Sequence, residues 1–162
     1  MPTRKNPPIA RVEQLIRAPL PAVFAAFTKP QELKKFWLAG ASGPLAAGKT
    51  VLWRFKVRGA RDTVNVVALE PDRRIRLRWS DGSTTEWTFT ALGRKQTRVT
   101  IEQAGFSGRG DAVLAQAVDS AQGFAFVLSD LKVLLERRLR SGIVKDKALV
   151  IERALRARGR KT

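Results

Sequence analysis

Fourteen carboxylates, thirty-one lysines and arginines, and no histidine or cysteine set the chemical repertoire of this 162-residue chain. Without imidazole or thiol there is no Ser-His-Asp or Cys-His machinery, no His or Cys metal site and no disulfide. Acid–base chemistry would fall to a carboxylate shielded from water. Asp119 is the catalytic candidate, because it lies two residues before Ala121 on the flank of an apolar seam. Its alternative reading is a solvated helix residue. Asp62, Glu70 and Asp72 fall at strand ends and read as turn residues, and no two carboxylates stand at a spacing that demands a paired-acid mechanism. No metal or cofactor is implied.

The formal charge is +17. Arg54, Lys56 and Arg58 alternate along one stretch, and Arg74, Arg76 and Arg78 along another. On the wet side of a sheet they would make a basic surface that attracts an acidic protein, anionic lipid or nucleic acid. The aromatics needed to stack bases alternate to the opposite face, and no helix-turn-helix, zinc-finger or RNA-recognition signature is present, so a specific nucleic-acid partner is disfavoured. A plain solvated face is the competing reading.

The third set is apolar. Trp53, Phe55, Trp79, Trp87, Phe89, Val99 and Ile101 should point inward from strands, with Ser120, Ala121, Phe124 and Leu128 facing them from a helix and Phe36 and Trp37 closing one end. Large aromatics can line a pocket for a flat apolar ligand, oriented by a few polar groups such as Gln103, Thr85 or Ser120. Equally, the same residues can simply fill a core.

The elements that must position these side chains follow from periodicity. Residues 12–16 form a first strand, Pro19 and Pro21 open a helix, and Pro30 starts a second short one over 31–37. Residues 39–48 read as a Gly/Ala/Pro loop. From 49 to 106 the period is two, giving five strands with turns at Arg58-Gly59, Pro71-Asp72, Asp81-Gly82 and Leu92-Gly93. Parity predicts a three-residue loop Ser80-Asp81-Gly82, which keeps Trp79 and Trp87 on one face and sets Arg76 opposite Glu86. A helix from Asp111, its N-cap, to Arg138 carries Leu114, Ala117, Ala121, Phe124, Leu128, Leu131 and Leu135 at alternating spacings of three and four. A coiled coil is the rival reading of that seam. Ala117, Ala121 and Gly123 argue instead for close packing on the domain's own sheet. The tail from 143 has charge +5, with Val144, Ala148, Ile151 and Leu155 as a thin apolar stripe. No apolar stretch near the start resembles a secretory leader and none approaches the roughly 20 residues of a membrane span, so a cytoplasmic protein is expected.

Three stretches resemble a known family. These are APLPAVFAAFTKPQELKKFW (18–37), VVALEPDRRIRLRWSDGSTTEWTFTALGRKQTRVTIEQAGF (66–106) and AQGFAFVLSDLKVLLE (121–136). They are similar to the START-like, or SRPBCC, superfamily, and within it to the AHSA1-like homologues of the activator of the heat-shock-protein-90 ATPase. The resemblance implies an α+β helix-grip (START/Bet v-like) fold: a curved six-stranded antiparallel sheet wrapped around a long C-terminal helix, with two short helices after strand 1. It implies a domain over 9–140; residues 1–8 read as a loose N-terminus, and 141–162 as a basic extension, helical along its stripe, expected to dock on the domain or to make an oligomer contact. It also implies a cavity between sheet and helix. The expected function is therefore binding of a small hydrophobic or amphipathic ligand. A polyketide-cyclase/dehydratase-like enzyme is one alternative. Another is a chaperone-activator-like accessory protein that engages an acidic partner through the basic surface. A homodimer stays open.

Overall fold

The computed structural model describes residues 6–160. The first five residues of the expected loose N-terminus lie outside that range. The chain runs β1 (Ala10–Ile16), α1 (Leu20–Thr28), α2 (Pro30–Phe36), β2 (Leu38–Ala41), β3 (Thr50–Phe55), β4 (Arg61–Glu70), β5 (Arg74–Trp79), β6 (Thr84–Gly93), β7 (Gln96–Ala104), α3 (Asp111–Arg137) and α4 (Ile143–Gly159). All strand pairs are antiparallel, in the order β1-β7-β6-β5-β4-β3-β2. This is the helix-grip architecture, with seven strands where six were expected.

The additional strand, β2, occupies the first part of the expected loop. Its four residues, LAGA, are too few and too small to show alternation. It pairs with β3 through Leu38 opposite Phe55 and Ala41 opposite Trp53, and becomes the edge of the sheet. Gly40 lies beneath the Arg54 guanidinium, where an added Cβ would meet Nη2 at 2.7 Å.

Strand parity follows the expectation wherever the ladder is regular. Trp79 N–H donates to the Ser83 carbonyl, Arg76 stands opposite Glu86, and Gly82 takes φ +89° in the three-residue loop between them. The ambiguous Val66-Val67 pair marks a register shift in β4, and Val67 is left exposed. β3 stops at Phe55 although alternation continues to Arg58. There the chain turns, with Phe55 N–H donating to the Ala60 carbonyl.

α1 and α2 fill one end of the space inside the sheet. The Phe27 ring lies 6.1 Å from that of Trp87, 6.0 Å from Phe89 and 5.6 Å from Phe36. α3 crosses the same concave face, burying Ala117, Phe124, Val127, Leu128 and Leu131. It has the length and apolarity of a membrane span, yet its apolar stripe is covered by the domain's own sheet rather than by a coiled-coil partner. Gly110 is the N-cap and Asp111 stands in the first turn, where a negative charge suits the helix dipole. Leu114, at the start of the expected seam, runs off the sheet and is exposed.

α4 folds back against α3. The buried Asp130 carboxylate accepts hydrogen bonds from the Ser141 hydroxyl at 2.7 Å and the Val144 N–H at 3.1 Å, satisfying the first turn of α4. At the far side the Glu152 carboxylate accepts from the Arg58 N–H at 2.7 Å.

Candidate functional site

A cavity of about 500 Å³, open on one side, lies where α1 and α2 do not reach. The sheet contributes Phe55, Asp62, Trp79 and Gln103, and the β5–β6 loop Asp81; α3 contributes Gln116, Asp119, Ser120, Gly123, Phe124, Phe126 and Val127; α4 contributes Val144, Lys147, Ala148 and Ile151. Trp37, Lys56 and Phe106 complete the wall together with Val57 and Ala60.

Of the expected lining residues, Trp37, Phe55, Trp79, Gln103, Ser120 and Phe124 meet in this wall. Phe36, Trp53, Trp87, Phe89, Val99, Ile101 and Leu128 are instead buried in the packed core, and Ala121 lies on the flank of α3 outside the wall. The reason is the phenylalanine packing from α1 and α2, which consumes that half of the interior. The two groups still touch: Trp37 and Trp53 ring centres are 5.0 Å apart, Trp53 and Trp79 5.7 Å, and Trp37 and Trp87 6.1 Å. The indole N–H groups of Trp53 and Trp87 are buried without a hydrogen-bond partner among the described residues.

Gly123 needs a different explanation from close packing. An added Cβ there meets nothing within 4 Å, because the residue opens onto the cavity. Asp119 is exposed at the rim rather than enclosed. Asp62 is not a turn residue: it pairs with Trp53 within β4 and is half-buried in the wall.

A chain of hydrogen bonds crosses the wall. The Ser120 hydroxyl donates to Gln103 Oε1, Gln103 Nε2 donates to the Ser83 hydroxyl at 3.0 Å, and Ser83 Oγ donates to Asp81 Oδ1 at 2.7 Å. The Trp79 indole N–H is engaged by Thr85 Oγ1 at 2.7 Å.

The basic surface splits. Arg54, Arg58, Arg76 and Arg78 are exposed. Arg74 is half-buried between Glu70 at 2.9 Å and Glu86 at 3.6 Å, and Arg76 approaches the same Glu86 at 3.9 Å. Lys56 is not on that face at all, since the chain turns after Phe55 and carries it to the cavity wall. Burial lowers its pKa from the ordinary lysine value; nearby Asp130 opposes the shift, while Arg140 and Lys145 add to it.

Docking of the tail on its own domain was an expected reading, but its part in the cavity wall was not, and Phe106, Phe126, Asp62 and Lys147 were missed as lining residues. The stripe Val144, Ala148, Ile151 was the available signal for α4, and the mid-helix Gly123 the signal for an open side. Among the described residues no cluster of three or more Asp or Glu side chains could hold a metal ion.

The family described as Activator of Hsp90 ATPase homolog 1-like protein matches residues 17–136. Its match ends before α4. A comparison with curated proteins gives no match. Among solved structures, protein SSP2350 from Staphylococcus saprophyticus is 24% identical with a TM-score of 0.72, covering 82% of this chain and 95% of its own. The Aha1 dimer from Colwellia psychrerythraea is 21% identical with a TM-score of 0.69, covering 80% and 96%. DynU16, from the dynemicin biosynthetic locus, is 24% identical with a TM-score of 0.71, covering 82% of this chain and 49% of its own. At these identities the likeness is one of fold.

Proposed function

The chain belongs to the Activator of Hsp90 ATPase homolog 1-like family, and on that premise we propose that it binds a small hydrophobic or amphipathic molecule between the sheet, α3 and α4. The observation that carries this reading is the 500 Å³ cavity with Trp37, Phe55, Trp79 and Phe124 in its wall. Pockets of this size and lining hold their ligands by apolar burial and orient them by a few polar groups. The core-packed Trp53, Trp87 and Phe89 support the wall from behind. Native mass spectrometry of protein purified from its own host, followed by calorimetry with neutral aryl-alkyl alcohols, tests the proposal. A retained small molecule or saturable binding is expected. No binding by any apolar probe overturns it.

The comparisons favour a second reading more directly than the geometry does. The family description and the Aha1 structure support an accessory role, in which the exposed Arg54, Arg76 and Arg78 meet an acidic protein partner. Pull-down at low and high salt separates the two. Binding that survives reversal of Arg76 and Arg78 to Glu counts against this face. An enzymatic role of the cyclase or dehydratase kind draws support from DynU16, through the biosynthetic locus it comes from. Unchanged turnover in Asp119→Asn would remove the residue it depends on.

A further inference from the structure

The lysine amines of the chain differ in their surroundings. Lys29, Lys34, Lys49, Lys95 and Lys145 are exposed to water. Lys35 is ion-paired with Glu32 at 2.9 Å, and Lys132 with Glu136 at 2.8 Å. Lys147 shares the cavity wall, but its Nζ stands 5.9 Å from the centre of the Phe126 ring, whose face attracts a cation. Lys56 is the exception among the described residues. It is half-buried in the cavity wall with no hydrogen bond, ion pair or ring contact.

The turn that ends β3 puts it there. Phe55 N–H donates to the Ala60 carbonyl, so the chain leaves the sheet and brings Lys56 toward the junction of α3 and α4. The charges that act on it, Asp130, Arg140 and Lys145, all belong to that junction. The Asp130 carboxylate is already held by the Ser141 hydroxyl and the Val144 N–H, and forms no ion pair with Lys56. Asp62, Asp81 and Asp119 of the same wall form none with it either. Burial and the two neighbouring cations both disfavour the ammonium form and outweigh the attraction of Asp130. A shielded amine beside other cations keeps more of its neutral, nucleophilic form than a surface lysine does.

We propose that Lys56 captures an apolar aldehyde in the cavity as a reversible imine. This rests on the cavity-binding reading above and adds a covalent step to it. Phe55, Val57, Val144 and Ala148 in the same wall bury the apolar body and hold the carbonyl near the amine. The Nζ lone pair attacks the carbonyl carbon and a C–N bond forms. The carbonyl oxygen takes up both Nζ hydrogens and leaves as water, and carbon and nitrogen are then doubly bonded. Nothing is oxidised or reduced, and water reverses the step.

The probe is 4-phenylbutanal, added to the intact protein near neutral pH with cyanoborohydride, which reduces an imine to a stable secondary amine. Peptide mapping by mass spectrometry reads the label at each lysine. Lys56 should carry roughly tenfold more label than Lys29, Lys34, Lys49, Lys95 or Lys145. Excess 4-phenylbutanol should suppress the label at Lys56 and leave the surface lysines unchanged. Lys56→Arg keeps the charge and removes the nucleophile, so the total label should fall by the share that Lys56 carried. Label spread evenly over the lysines overturns the proposal, and so does a Lys56 label that the alcohol does not suppress. Transfer of the label to Lys147 in Lys56→Arg overturns it too, since capture would then belong to the cavity and not to Lys56. Saturable calorimetric binding of 4-phenylbutanol without preferential labelling of Lys56 overturns the covalent step and leaves the cavity reading standing. Neither binding nor preferential labelling removes both. The wild-type mapping needs no variant to fold.

Discussion

The Asp130 carboxylate accepts a hydrogen bond from the backbone N–H of Val144 at 3.1 Å, joining the buried middle of α3 to the first turn of α4. The same carboxylate holds the Ser141 hydroxyl. One acid thus anchors the helix that supplies one side of the cavity. Asp130→Ala strands both donors, and loss of such bonds to a charged acceptor costs about 2–3 kcal/mol. A lowered Tm and faster tryptic cleavage at Arg138 and Arg140, in the loop that α4 would leave loose, are expected. Unchanged cleavage would mean that α4 is held by its apolar stripe alone.

Gly123 separates stability from binding. It lies in a helix interior with no neighbour within 4 Å of an added Cβ. Gly123→Ala should stabilise the fold by about 0.5–1 kcal/mol through helix propensity. Gly123→Leu should keep the fold and project into the cavity, weakening the binding of any apolar probe. Denaturant melts and calorimetry on the two variants check both halves.

Lys56 gives a pH-dependent expectation. Burial holds its pKa below the ordinary lysine value, so the folded state carries its charge at a cost near neutral pH. The cost is relieved as pH rises through the lowered folded value toward the ordinary one. Lys56→Met should therefore melt higher than the parent at neutral pH, with the gap closing in alkaline buffer. A gap that is constant with pH would assign the effect to packing.

Glu136 behaves in the opposite sense. Burial alone would raise its pKa, but hydrogen bonds from Lys132 and Arg17 outweigh that and leave it lowered. Lys132 also donates to the Leu15 carbonyl at 2.6 Å, so the cluster ties the end of α3 to β1. The stability it contributes is present above the ordinary glutamate pKa and is lost as pH falls through the lowered folded value. Glu136→Gln should lower Tm at neutral pH and converge with the parent in acid. Thermal melts across the acid range read this directly.

Much of the fold was legible in the chain because strand parity is a strict constraint. The Trp79–Trp87 pair alone determined the loop length and the Arg76–Glu86 register. The doubled Val66-Val67 marked the shift in β4 without revealing its cause. β2 carries too little pattern to be seen, and its pairing is a tertiary event. The site was harder to read. Inward direction identifies Trp53 and Trp79 equally, but only the packing of Phe27 and Phe36 from other elements decides which interior is filled and which is left open. Lys56 was misassigned for a related reason: alternation continued past Phe55 after the strand itself had ended.

The four tryptophans, in a chain without tyrosine, form a single contacting group whose neighbouring centres lie 5.0 to 6.1 Å apart. Their ultraviolet spectrum is consequently collective. Rings this close couple their transitions, so near-ultraviolet circular dichroism reports the arrangement of the group as a whole. Trp37 and Trp79 face the cavity while Trp53 and Trp87 stand dry behind them. A probe that reaches Trp37 and Trp79 from the cavity should therefore perturb the emission of the whole group.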